Sequence, residues 1–359
     1  MDRFAIYALV SALQAAQDAG ITVGSIADTS VDSKRMGVVI GNGIGGVELL
    51  LENHRKLLER GPKAVYPLLA AVMIPNFAGG VIAIKLNAQG PCHTIVTACS
   101  SATDALGAAF RWIRAGEADI MVAGGTEAAL TPLGLGSFCA IKALSTGYND
   151  EPARASRPFD LNRDGFVMSE GAGLLVLEEL EHATNRGARI YTELAGYGAT
   201  CDASHMTAPH PEGVGAANAM EKAIEDAGMR PEEIDYINAH GTSTPLNDPA
   251  ETRAIKKVFG EHSRELKISS TKSMVGHLLG GSGGVEAITT VLSLYNQYYP
   301  GTKNLDTPDP ECDLDYLPNR GMEGPMRAAI SNSFGFGGHN AVLAFRRFDR
   351  AESRVEKKD

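Results

Sequence analysis

Cysteines are few and scattered. Cys92, Cys99, Cys139, Cys201 and Cys312 make five, an odd number with no C-x-x-C pair, which excludes a disulfide framework or a zinc site and fits a reducing, cytoplasmic setting. Positive charge is in deficit, with 33 Lys and Arg against 43 Asp and Glu for a formal net charge of -10. That balance argues against nucleic-acid or membrane binding and leaves room only for a local basic patch toward an acidic partner. No run approaches the roughly 18 apolar residues that cross a bilayer. The opening "MDRFAIYALVSALQAAQDAG" lacks the long apolar core and small-residue cleavage site of a signal peptide. Low-complexity tracts and polar linkers are also missing, so any two halves share one compact body.

What is present is core-forming material: 44% of 359 residues are hydrophobic, enough for two domains or one large duplicated unit. Strand patterns at Gly37–Ile40, His93–Ala98, Ile120–Ala123, Gly173–Glu178, Ile190–Ala199, Tyr236–Ala239, Ile268–Ser270, Ala328–Asn332 and Ala341–Phe345 alternate with helical ones. The helical patterns are Ala5–Ala19, Val47–Glu59, Ser101–Ala115, Gly215–Ala227, Pro249–Val258 and a small-residue helix after His277. This alternation implies an α/β fold with mostly parallel strands. Leu144–Gly165, rich in Asn, Asp, Pro and Arg, reads as a long surface loop.

The stretch "GVVIGNGIGG" at 37–46 runs from a β-branched strand into G-x-G-x-x-G, the pattern of a dinucleotide site. The continuation "YPLLAAVMIPNFAGGVIAIKLNAQG" offers helical spacing where a second strand ending in an acidic residue is required. The loop therefore reads as glycine packing under another element, and saturable NAD(P)H binding would overturn that.

"CHTIVTACSSATDALGAAFRWI" places Cys99 between a strand and a helix. A helix N-terminus supplies partial positive charge and free N–H groups, which stabilise a thiolate. A thiol at about 8.5 is a few per cent ionised at pH 7, whereas one lowered to about 7 is half ionised. "IDYINAHGTSTPLND" and "ISSTKSMVGHLLGGSGGVEAI" put His240 and His277 just past strands, with Lys272 nearby. Ligands of open α/β sheets bind beyond strand carboxyl ends, so Cys99, His240 and His277 are candidates to converge there. His54, His182 and His262 lie in helical or polar surroundings and read as surface residues.

"TACSSA", "NAHGTSTP", "STKSMVGHLLG" and "SNSFGFGGHN" together resemble the signature segments of the β-ketoacyl-acyl-carrier-protein synthases, most closely the elongating type II enzymes. "VAGGTEAALTPLG", "ASRPFDLNRDGFVMSEGAG" and "DASHMTAP" extend the likeness from Met1 to about Arg347. The resemblance implies a thiolase-like, five-layered α-β-α-β-α fold of two similar βαβαβαββ halves, residues 1–185 and 186–347, followed by a polar tail at 348–359. It implies a homodimer, no cofactor or metal, no nucleotide, and an acidic acyl carrier protein as partner.

The activity it implies is the decarboxylating condensation of an acyl thioester with malonyl-carrier protein. Cys99 would be the nucleophile, the backbone N–H groups of Cys99 and Phe336 the oxyanion hole, and His240 and His277 the stabilisers of the malonyl-derived enolate. Lys272 would support them through Glu286, or form an ordinary structural ion pair with it. Phe336, with Phe334 close by in sequence, would gate the site, Ile44 would wall the acyl pocket, and Thr207, Thr242 and Thr244 would hold the pantetheine arm. Chains of the family begin several dozen residues earlier, with a strand in the middle of the N-terminal sheet, so the resemblance implies a sheet one strand short. The alternatives are a polyketide-type ketosynthase, which shares the Cys-His-His set, and a non-catalytic partner subunit.

Overall fold

A computed structural model describes residues 1–21 and 31–348. The expected polar tail lies, beyond Phe348, outside the described residues. The strands are β1 (Met36–Gly41), β2 (Cys92–Ile95), β3 (Ile120–Glu127), β4 (Gly171–Glu178), β5 (Thr192–Cys201), β6 (Tyr236–Asn238), β7 (Lys267–Ser269), β8 (Tyr298–Tyr299), β9 (Met322–Glu323), β10 (Ala328–Gly335) and β11 (His339–Arg347). The helices are α1 (Arg3–Asp18), α2 (Val47–Arg60), α3 (Leu69–Val72), α4 (Phe77–Leu86), α5 (Ser101–Arg114), α6 (Pro132–Ala140), α7 (Leu180–Asn185), α8 (Val214–Asp226), α9 (Asn247–Phe259), α10 (Lys272–Val275) and α11 (Ser282–Asn296).

Every residue of β1 and β3 is buried, as β-branched and small strands must be when helices cover both faces of a parallel sheet. One sheet has the order β2-β1-β3-β4, the other β5-β11-β10-β6-β7, and a hairpin pairs β8 with β9. In the first, β1 runs parallel to β2 and β3, and β4 runs antiparallel to β3. In the second, β10, β6 and β7 are parallel, and β11 is antiparallel to both β10 and β5. Helices α1 and α4 pack on the outer face of the first sheet, and α8 covers the second with α9 beside it, whose Ala254 and Ile255 share a core with Ile237 and Ile268. Helices α5 and α11 touch both sheets, which gives the five layers.

The first sheet is a strand shorter than the second, but not in its middle: β1 and β3 are direct neighbours over six residue pairs. In the second sheet the strand that opens the half, β5, lies at the edge beside β11. The strand expected at His93–Ala98 stops at Ile95, because Ala98 turns the chain into the left-handed region at φ 52°. Of residues 144–165, expected as a surface loop, the first half is largely exposed through Arg154, but the stretch from Ala155 to Asp160 is buried. Phe159 and Asp160 are fully buried, and Phe159 stacks on Tyr316 with centroids 3.7 Å apart. The segment is drawn inward because Arg157 N and Phe159 N donate to Ser243 Oγ and Asp248 Oδ2 at 3.0 and 2.9 Å. His54 is exposed as expected, whereas His182 and His262 are half-buried against Glu178 and the Ile234 carbonyl. Among the described residues, no helix is long and apolar enough to cross a membrane.

Candidate active site

A left-handed Ala98, a one-turn 3-10 helix over Ala98–Ser100 and then α5 set Cys99 at the helix start. An alanine in this region is strained and persists only where neighbours over-determine it. They do so here. The Ser101 hydroxyl accepts from Thr97 N at 2.9 Å and donates to Ala98 O at 2.6 Å. The Asp104 carboxylate accepts from the hydroxyls of Thr97, Ser100 (2.9 Å) and Tyr197 (2.6 Å).

Cys99 lines a cavity of about 270 Å³ together with His240, His277, Phe334 and Phe336, and with Thr207, Thr242 and Thr244. The convergence expected from strand ends is present. The helix start does not yield a resting thiolate, however. Burial pushes the Cys99 thiol up to about 11, outweighing the nearby Lys272 charge and the Phe336 N–H that donates to the sulfur.

The two imidazoles meet nearly at right angles, centroids 5.5 Å apart. The Leu279 N–H donates to His277 Nδ1 at 3.2 Å, and the Ser282 hydroxyl lies 2.8 Å from the same atom. An Nδ1 that accepts from a backbone N–H carries no proton, so the neutral ring holds its proton on Nε2. His240 is fixed alike: the Lys272 ammonium stands 3.3 Å from its Nδ1 and donates to its carbonyl at 2.7 Å. Burial first, then the Lys272 charge, holds both imidazoles well below their usual range and therefore neutral. The site thus contains two neutral N–H donors.

Lys272 does not line the cavity; it sits behind His240, ion-paired to Glu286, both side chains 2% exposed. Ile44 is not on the cavity wall either. It stands 41% exposed in the glycine loop that follows β1. Thr242 and Thr244 share a hydroxyl hydrogen bond of 2.8 Å at the rim.

Sequence reasoning missed Phe138 and Phe166, which join the lining. Phe166 meets His277 edge-on at 5.1 Å, and Phe138 lies 6.3 Å from Phe336. Phe166 follows a glycine in "RDGFVMSEG" outside any strand or helix pattern, a local signal that it was not ordinary core.

Residues 1–183 match the family described as Beta-ketoacyl synthase, N-terminal domain, and 191–306 match Beta-ketoacyl synthase, C-terminal domain. The curated 3-oxoacyl-acyl-carrier-protein synthase 2 of Synechocystis sp. is 51% identical over 97% of this chain and 82% of its own. The enzyme of the same name from Staphylococcus aureus is 50% identical over 97% of this chain and 83% of its own. A solved complex of a type II polyketide synthase acyl-carrier protein with its ketosynthase, bound to a hexaketide, superposes with a TM-score of 0.93. That match has 39% identity and covers 97% of this chain and 85% of the solved one. With both halves matched and the thiol and imidazoles in one cavity, the chain belongs to the beta-ketoacyl synthase family.

Proposed function

We propose that this chain elongates acyl groups by decarboxylating Claisen condensation, forming 3-oxoacyl-carrier protein in fatty-acid synthesis. The observation that carries the reading is the pair of neutral imidazoles, each with Nδ1 occupied from behind, in one cavity with a cysteine. The Cys99 sulfur attacks the acyl thioester, and the thiol proton leaves on the carrier thiol. Because the resting thiol is protonated, proton loss accompanies attack. The N–H groups of Cys99 and Phe336 receive the oxyanion, where one lost donor costs on the order of 10²–10³ in rate.

Malonyl-carrier protein then enters. The Nε2–H groups of His240 and His277 hydrogen-bond its thioester carbonyl, so that the electron pair released as the carboxylate leaves as carbon dioxide is held as an enolate. The enolate carbon forms the new bond to the acyl carbonyl. The carbon–sulfur bond to Cys99 breaks, and its thiolate recovers a proton from solvent.

Lys272 and Glu286 keep His240 oriented and neutral from behind. Phe336 gates the cavity against Phe138, with Phe334 beneath, and Thr207, Thr242 and Thr244 hold the pantetheine arm. An acyl carrier protein delivers both substrates, as supported by the neighbouring solved complex. Identity to the curated fatty-acid enzymes exceeds that to the polyketide complex, which favours the fatty-acid reading.

The halves divide at 185/186, after α7 and between the two matched family domains. The protein is a homodimer: β2 is an unpaired sheet edge with exposed Cys92 and His93, and Val96 just beyond it is 55% exposed. Such an edge favours addition of another strand. Ile44, on the adjoining strand end, becomes a pocket wall when a partner covers it. Five free thiols support a cytoplasmic setting.

The test is intact mass after incubation with long-chain acyl-carrier protein. A gain of one acyl group, absent in Cys99→Ala, is expected. No gain in the folded protein overturns the reading.

A further inference from the structure

The backbone N–H groups of the glycine loop at 41–46 remain without a role in this chemistry, and so does Glu127. They belong together. Glu127 ends β3 with no solvent exposure. Its Oε2 accepts from Gly43 N at 2.9 Å and Gly280 N at 3.2 Å, and its Oε1 accepts from Ile44 N and Asn42 Nδ2 at 3.2 Å each. A G-x-G-x-x-G loop and a helix start surround this carboxyl as they would a phosphate, and their donors hold it down against burial, which pushes it up to about 7. Here the acidic group is internal.

Its location follows from the duplication of the fold. Ala98 and Leu279 are both left-handed, at φ 52° and 49°, and each begins a 3-10 turn that leads into a central helix. Cys99 in one turn corresponds to Gly280 in the other. The end of β10 from the other half lies over Cys99, where a Cβ on Gly335 would come within 3.0 Å of Cys99 N. Likewise the end of β3 lies over the Gly280 turn and presents Glu127. A Cβ on Gly43 would stand 2.7 Å from Glu127 Oε2, and one on Gly280 would overlap Gly43 N. Only glycines permit this clasp.

Gly280 adjoins Leu279, whose N–H donates to His277 Nδ1, and Ser282, whose hydroxyl contacts the same atom, follows two residues later. We propose that Glu127 is a positioning residue for His277: by pinning Gly280 to the glycine loop it fixes the turn that holds the imidazole with Nε2–H toward the cavity. This rests on the condensing function proposed above.

The test separates the half-reactions. Glu127→Ala is expected to lower kcat for decarboxylation of malonyl-carrier protein by roughly 10- to 100-fold, since misaimed donors lose transition-state stabilisation. KM should change by less than about threefold, because the substrate-binding rim is untouched. The rate of Cys99 acylation should not fall, because the Glu127 charge raises the thiol's pKa and its removal eases ionisation. Parallel loss of both half-reactions in folded protein, or loss of neither, overturns the proposal. If the alanine variant does not fold, Glu127→Gln decides by the same readouts, because its amide cannot accept from both Gly43 and Gly280 and both loop donors at once. A wild-type protein that performs neither half-reaction would refute the condensing function itself, a result distinct from failure of the Glu127 role.

Discussion

At the residue scale, the decisive feature is that charge sits behind the reacting groups and not among them. Lys272 and Glu286 form a fully buried pair, and the ammonium faces only the back of His240. Breaking such a pair strands a charge, at a cost of about 3–5 kcal/mol. Lys272→Met should therefore lower unfolding free energy by about that amount in urea titrations. The same variant has a chemical signature. The Lys272 charge lowers the Cys99 thiol while burial raises it to about 11. Below that value, thiolate and hence alkylation by iodoacetamide should rise about tenfold per pH unit. Removing the cation moves the thiol further up, so alkylation of Lys272→Met at pH 8 should be slower than in wild type. A wild-type rate that levels off above pH 8 would show instead that the helix terminus has already ionised the thiol.

At the element scale, the turn before α5 shows both what the sequence made legible and what it concealed. The β-branched run and the small-residue helix around Cys99 were readable, because period and residue type act locally. The left-handed Ala98 was not, since alanine gives no sign of positive φ; Thr97, Ser100, Ser101 and Asp104 impose it through hydrogen bonds. The buried part of residues 144–165 misread for a related reason. Its backbone N–H groups are buried against partners 86 and 89 residues away in sequence, Ser243 and Asp248, and composition cannot reveal those partners. The raised thiol, and the exposure of Ile44 in the single chain, were not legible because burial depends on tertiary packing. Forcing an L-residue into the left-handed region costs about 1–2 kcal/mol. Ala98→Gly recovers that strain against about 0.5–1 kcal/mol of backbone entropy. It should leave urea stability unchanged or slightly higher, while β-branched Ala98→Val should lower it by at least about 1–2 kcal/mol. Equal stability of the two variants would mean the turn is not held as described.

At the scale of the whole molecule, the site exists only because the halves pack through a shared layer. Cys99 comes from one half and both histidines from the other, and the core between the sheets mixes Val39, Ala105 and Met121 with Tyr197, Leu343 and Phe345. Tyr197 on β5 also reaches across to Asp104, tying the nucleophile turn to the opposite half. Neither half can unfold without exposing apolar surface on the other, so the two should melt as one cooperative unit. The chain reports on this itself. Its single tryptophan, Trp112, lies on α5 in the N-terminal half beside His93, whereas far-UV dichroism senses both halves. Urea curves followed by the two signals should coincide. In Tyr197→Phe, the loss of one buried hydrogen bond should lower the unfolding free energy by about 1–3 kcal/mol and move both midpoints down together. If fluorescence were lost at a lower urea concentration than dichroism, the halves would be separable, and the shared layer of α5 and α11 would not be what couples the nucleophile to the histidines.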